Sequence, residues 1–597
     1  MMAAPLTIDV TDLPAAAGPS AIPDDGLDDS AAVQAAVDYA AAERAAGRAD
    51  RVVIHIPAGV YDLADTVVIG DAVSLIGEGM GRSVLRGIAG RVVGTEGLPD
   101  SGTNADSANR DAYLFDISQS EGVFFKRMTL RGPDLHGAII GVRNRDTVIH
   151  SVEFNGFAWS AVRTYVARNQ QYSRNLFVDA GGRAGVTTGA TGGAIYGTYL
   201  RDSEFAYNRF EKTEGFVGNY FGIKGRQFRD TRIHHNSIGT SFAIELPFEN
   251  DSGVEIDHNR LEGVVSIPKF AGGLVLEDDL SFHIHHNLFT TGYAVELTRN
   301  SVLIEKNVFT SPIDEDRSNV LSSFGSNNAP GPLTFRENLV LNPGRGVFWS
   351  DPAYDNVTIL NNEVIVAPTP TPRTEGLFGF FSGNANREGT DFSTVTIAAN
   401  LIEVFGDARP LVRNAASATA DIRDNELINV SDTSAYPNPD TGAVSGLSEP
   451  LLFRIGADNE LVDGAAMAQA ARDAAGALVG AAAPPVAAPP VAAPPVVAPP
   501  PPVAPASVVP PPTAPPSITR GPTAPPAAAM PTFPPLSVPA FSPLSVPHGR
   551  RPVFTRAPVD ADLSPVALPD VAEGLPPAFW DDITTATLNA GETWATG

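Results

Sequence analysis

The sequence predicts an all-β chain: a right-handed parallel β-helix with an N-terminal capping helix, followed by a disordered Pro-rich tail. Three observations predict it. A phrase of the form X-Asn-X-apolar closes one short apolar segment after another. It reads YNRF at Asn208, HHNSI at Asn236, DHNRL at Asn259, HHNLF at Asn287, EKNVF at Asn307, RENLV at Asn338, NNEVI at Asn362, AANLI at Asn400 and RDNEL at Asn425. An Ala-rich amphipathic stretch precedes the first of the β-branched runs, and a dense Pro/Ala/Val tract follows the last.

The Asn phrases recur at steps of 28, 23, 28, 20, 31, 24, 38 and 25 residues. A period of that size marks a stacked repeat, each repeat being one coil. Each Asn is expected at a corner between strands, because Asn tolerates the left-handed backbone of a sharp turn. Stacked carboxamides can also hydrogen-bond from coil to coil.

The elements follow in order. Residues 1–23 form an N-terminal extension. Residues 24–48, DDGLDDSAAVQAAVDYAAAERAAGR, open with turn-forming acids. Asp29 or Ser30 can N-cap a helix carrying Val33, Val37 and Tyr39 on or near one face. Such a helix would cover the open end of the solenoid, whose unpaired backbone groups otherwise invite aggregation. Coils are expected across 24–463, and an Ala/Pro-rich linker across 464–545. Proline at the density of AAPPVAAPPVAAPPVVAPPPP favours an extended polyproline-like spacer. Residues 546–597 hold one apolar cluster, LPPAFWDDITTATL, whose role the sequence does not specify.

Composition narrows the function. A formal charge of −27 over 597 residues argues against a nucleic-acid partner. The absence of cysteine excludes disulfides and thiolate-bound metals. No apolar run is long enough for a membrane span. The N-terminus lacks a basic region followed by an apolar core, so we expect secretion without a Sec signal, with a cytoplasmic protein as the alternative.

Aligning coils on the strand before each Asn lays GAIYGTYLRDSEFAYNRF over FGIKGRQFRDTRIHHNSI without a gap. Extending that register predicts one outward column: Arg163, Tyr196, Lys224, Glu245, Lys269, Glu296. The Lys269 coil needs a one-residue slip. Stacked at about 4.8 Å per coil, the column would span about 24 Å, the length of several sugar rings. Gly222, Gly225, Tyr220, Phe221, Phe248 and Phe270 read as a flat wall beside it. Residues 160–235 contain eleven Lys and Arg against six acids, a basic stretch suited to an acidic polymer. The competing reading is a salt-bridge ladder on a solvated face. The histidines at 234, 235, 258, 283, 285 and 286 look like metal ligands. Their recurrence with the coil favours corner residues bonding neighbouring backbone, so no metal site is assigned.

The segments DDSAAVQAAVD, IPAGVYDL and SLIGEGMGRSVLRG resemble the N-terminal region of pectate-lyase-like β-helix proteins. The stretch GIKGR…ELPFEND…VEIDHN…SIPKFAGG resembles β-helical polysaccharide lyases, most nearly the alginate/glucuronan lyases of family thirty-one. The resemblance implies β-elimination on a uronate polymer. One group neutralises the carboxylate, a base removes the C5 proton, and an acid protonates the departing O4. Lys224, beside Arg226, is the expected base and Tyr196 the proton donor. Arg163, Lys269 or Arg226 would hold the carboxylate, and Tyr220, His234 and Glu296 would line the substrate. Related lyases carry an Arg one coil after the Lys, where this chain has Glu245. That departure leaves room for Ca²⁺ at Glu245 and keeps three alternatives open. These are a glycoside hydrolase using Glu245 and Glu296, a C5-epimerase, and a non-catalytic polysaccharide-binding surface protein. The partner expected is an acidic polysaccharide, and the chain is expected to be a monomer.

Overall fold

The computed structural model describes residues 6–88, 112–132, 135–181, 192–216, 220–246, 251–267, 282–297, 301–311, 319–323, 332–350, 356–367, 376–380, 394–405, 409–414, 420–431 and 460–462. The Pro-rich tract and the C-terminal segment lie outside them, as do Phe248, Lys269 and Phe270.

The described residues form a parallel β-helix. A typical coil contributes Gly193–Thr198 to one sheet, then Arg201–Ala206 and Arg209–Glu211 to another. Among the described residues the first sheet has thirteen strands and the second twenty-eight, with every sheet pairing parallel. Inward residues repeat at each rung. Ile195, Ile223 and Ile244 are consecutive Cα partners and fully buried. Phe154, Phe177 and Phe210 stack with centroids 4.8 and 4.7 Å apart. Each such side chain contributes about 1.5–3 kcal/mol by leaving water, and the core is one continuous cylinder because each coil buries its neighbours' faces.

The helix spans Ser30–Ala45, with Asp29, one of the two expected residues, at the N-cap position but making no side-chain cap bond. The capping oxygen is supplied one residue earlier than expected. Asp28 Oδ1 accepts from Ser30 N at 2.9 Å and from Ser30 Oγ at 2.5 Å, whereas Asp29 accepts from the backbone of Ile22 and Asp62. Val33 and Val37 are buried against Val52–Ile56 and Val67–Val68. The first strand of the solenoid, Leu6–Asp9, pairs with Val52–Ile56, so the N-terminal extension joins the sheet.

The Asn residues form one buried ladder, which starts a coil earlier than the sequence phrase suggests, at Asn175. Each backbone N–H and each Nδ2 donates to Oδ1 of the Asn in the next coil, as from Asn236 to Asn259 at 2.9 and 3.0 Å. Nδ2 also donates back to the preceding coil, from Asn236 to Phe205 O at 2.9 Å. One expectation needs correction. The left-handed backbone belongs to the residue before each Asn: Tyr207, His235, His258, His286, Lys306 and Glu337 have φ of 52–58°. The Asn points inward and satisfies the turn's backbone, while the residue before it points out and takes the strained conformation. That strain costs about 1–2 kcal/mol per corner, and the amide bonds offset it.

Candidate functional site

The outward positions of the thirteen-stranded sheet stack in the file the 28-residue repeat predicts. Arg163, Tyr196, Lys224, Glu245, Ser266 and Glu296 are successive Cα partners. The file continues through Ser322 to Trp349 and is preceded by Ile140 and Asp116. Ser266 takes the rung expected for Lys269. The pairing of Phe242–Glu245 with Val264–Ile267 shifts register by one residue between Phe242 and Ile244, so that Glu245 faces Ser266 rather than Ile267; the outward position lies three residues upstream of the expected lysine.

The file changes character along its length. At its upper levels Arg163 and Tyr196 are each 6% exposed. The Arg163 guanidinium lies 4.6 Å from the centre of the Trp159 ring. It also interacts with Tyr113, whose phenol pKa is raised by burial. Tyr196 packs against Trp159 at 5.1 Å. Arg163 is thus a buried cation boxed by aromatic rings, not the open carboxylate clamp the sequence suggests. One level down, Lys224 Nζ stands 2.5 Å from Glu245 Oε2, with both side chains about 15% exposed. At that separation the pair is a short, charge-assisted contact. The same ammonium lies 4.2 Å from the centre of the Phe221 ring, which stacks on Phe242 at 4.7 Å. Next, Ser266 Oγ donates to Glu296 Oε2 at 2.7 Å. Tyr293 is beside Glu296, and burial together with that carboxylate raises its pKa. Arg226 is on the Lys224 strand two residues on, with Thr198 as its Cα partner.

Two expected substrate contacts lie elsewhere. Tyr220 is wholly buried and its hydroxyl donates to Phe177 O at 3.3 Å, so the ring fills the core. His234 belongs to the second sheet, is 6% exposed, and sits 2.7 Å by Nε2 from Glu204. The glycines are not a sugar wall either. A Cβ on Gly225 would meet Phe228 at 2.2 Å, and one on Gly222 would meet Ala243 O at 2.6 Å, so both point into the packed interior. The basic stretch divides between faces, too. Arg168 pairs with Asp202, Arg209 with Glu211, and Arg232 with Asp257, all on the second sheet. At Glu245, the residue singled out for Ca²⁺, Lys224 Nζ stands 2.5 Å from Oε2.

Trp159, Ser266, Tyr293 and Trp349 border or join the file without having been expected there. The tryptophans had a signal: the chain has four, and two of them meet this column.

No protein-family model matches the chain, and no curated protein matches it. Among solved structures, the tailspike protein of E. coli bacteriophage HK620 in complex with a pentasaccharide is similar at a TM-score of 0.43 and 12% identity, over 77% of this chain and 78% of that one. A single-residue variant of that tailspike, also with pentasaccharide, is similar at 0.45 and 11%, over 77% and 79%. A double variant is similar at 0.45 and 12%, over 78% and 79%.

Proposed function

We propose that the outward file of the thirteen-stranded sheet cleaves a polysaccharide, with Glu245 and Glu296 as a carboxylate pair. The observation that carries this reading is their placement two rungs apart on one face, with Ser266 between them. Two rungs correspond to about 9.6 Å, the upper end of the range for an inverting glycosidase, where a water must fit on the far side of the sugar. Lys224 Nζ, 2.5 Å from Oε2, holds the Glu245 carboxylate in place on this face, which suits a general base acting on that water. Glu296, beside Tyr293 and in reach of Ser266, is the general acid once a bound chain displaces solvent. Phe221, Phe242 and Trp349 supply ring surface along the same run of rungs.

A second reading is favoured by Tyr196 and Lys224 on consecutive rungs with Arg226 two residues away. It is β-elimination on a uronate polymer such as alginate or glucuronan, with Lys224 removing the C5 proton and Tyr196 protonating O4. The contact with Glu245 weighs against it, since it turns Lys224 Nζ toward a carboxylate 2.5 Å away.

The test is a panel of neutral glycans, alginate, glucuronan, pectate and chondroitin, scored for reducing ends and for the ultraviolet absorbance of an unsaturated uronate. Reducing ends alone support hydrolysis, and both signals together support elimination. Binding with neither signal sinks both readings and leaves a polysaccharide-binding protein.

A further inference from the structure

On the second sheet, away from the Lys224 file, outward histidines and acids gather at neighbouring coils. Glu255 and His283 are Cα partners, as are Asp257 and His285. Residues 255, 283 and 285 therefore share one outer surface of two adjacent strands. One ligand atom from each of Glu255, His283 and His285 lies within 4.8 Å of the others. His285 Nε2 is 2.9 Å from Glu255 Oε1, and the two imidazole centroids are 4.0 Å apart.

We propose that Glu255, His283 and His285 hold a divalent transition-metal ion of the Zn²⁺ class. Each imidazole is anchored through one nitrogen, and the ion would replace the contact that His285 Nε2 now makes with Glu255 Oε1. His283 Nε2 is 3.0 Å from Glu305 Oε1, and Glu305 is itself clamped by Arg336 Nε at 2.7 Å. This carboxylate-to-histidine support orients metal-bound imidazoles and leaves Nδ1 as the lone-pair donor. His285 Nδ1 faces His286 Nδ1 at 2.8 Å, leaving Nε2, the nitrogen beside Glu255. Two imidazole nitrogens and one carboxylate oxygen make a borderline-soft donor set with a fourth position open. Ca²⁺ and Mg²⁺ need more oxygen donors than this set supplies. The scaffold pre-places the ligands, because the corner after His285 is fixed by His286 in the left-handed region and by Asn287 in the amide ladder.

A neighbouring trio, His235, Asp257 and His258, also brings its ligand atoms within 4.8 Å. There Asp257 gives both oxygens to Arg232, at 2.8 and 2.7 Å. Arg232 also reaches Glu255, but only at 3.5 Å and on Oε2, which leaves Oε1 on the histidine side; at Asp257 a cation would have to displace a bidentate guanidinium, so this trio is the control.

The experiment uses the full-length protein stripped of metal at neutral pH and titrated with Zn²⁺ by calorimetry and with Co²⁺ by visible absorption. One equivalent is expected, with Co²⁺ displaced by Zn²⁺ and with Ca²⁺ and Mg²⁺ far weaker. The H283N/H285N double variant is expected to lower affinity by roughly 100-fold or more, and H258N to leave it unchanged. Circular dichroism and Tm of the stripped proteins check that folding is retained. E255Q, at a half-exposed position, tests the same site where the double variant does not fold. The proposal is overturned by no binding in the wild type, by binding indifferent to both the double variant and E255Q, or by Ca²⁺ binding as tightly as Zn²⁺.

Discussion

Lys224 and Glu245 are Cα partners on consecutive rungs, and their charged ends meet at 2.5 Å with about 15% of each side chain exposed. Removing one member leaves a largely desolvated charge alone, which costs more than removing both. K224M and E245Q are each expected to lower the denaturation midpoint, and the double variant to lower it less than the sum. A cycle of urea unfolding should give a coupling energy of about 1–3 kcal/mol. A coupling near zero would mean that the contact is incidental.

The carboxylate pair predicts a pattern in rates. On whichever polymer is cleaved, and below the unfolding transition, E245Q and E296Q are each expected to reduce kcat by about 10²–10⁴-fold, E296Q with little change in Tm. K224M should reduce it less if hydrolysis is the reaction. A K224M loss as deep as that of E245Q, with the product still unsaturated, would move the chemistry to Lys224.

Asn259 lies mid-ladder and is wholly buried. It accepts from Asn236 and donates to Asn287 and to Ile233 O. Asn259→Ala orphans several of these groups at about 1–3 kcal/mol each. Asn425→Ala, at the end of the ladder, should cost visibly less. Equal losses in thermal or chemical unfolding would argue against coupling between rungs.

His235 is held at a pKa of about 4, first by burial and then by the neighbouring His234 and His258. An unfolded histidine titrates near 6.5. Between those values the unfolded chain binds the extra proton, so stability falls as pH drops from about 6.5 to 4. In metal-free buffer, H235N should flatten part of this slope, because Asn tolerates the left-handed corner without titrating. Urea midpoints measured across that range, with an unchanged slope in H235N, would exclude His235 as a contributor.

Gly225 borders the outward file in sequence yet faces the interior. Gly225→Ala would press a methyl into Phe228 and Gly197 O. Overpacking of this kind is expected to cost about 1–3 kcal/mol while KM stays constant below the unfolding transition. A raised KM with unchanged stability would return this glycine to the substrate wall.

The register of Arg163, Tyr196, Lys224, Glu245 and Glu296 was legible because the coils from residue 193 to 238 align without a gap, and side chains alternate with a period of two. Ser266 was not legible. A bulge shifts the count inside one coil, and nothing in SIPKF marks it. Tyr220 and His234 failed for another reason: sequence proximity to Lys224 says nothing about which face a residue leaves by, and the chain turns a corner within a few residues of the lysine. The ladder was visible as a repeated letter, but the strain was assigned to that letter when it falls on the neighbour before it. A consensus position can be the one that relieves a turn while variable residues bear it, as Tyr207, His258, Lys306 and Glu337 do here.

Every rung of the amide ladder points one way. From Asn175 to Asn425 the donors belong to the earlier coil and the accepting oxygen to the later one. A ribosome delivers the coils in that same sequence. Each newly emerged turn of chain therefore arrives carrying the acceptor that its predecessor still lacks, and leaves its own amide open for the turn to come. The ladder is therefore polar, with every Asn-to-Asn donor facing the C-terminal end of the solenoid.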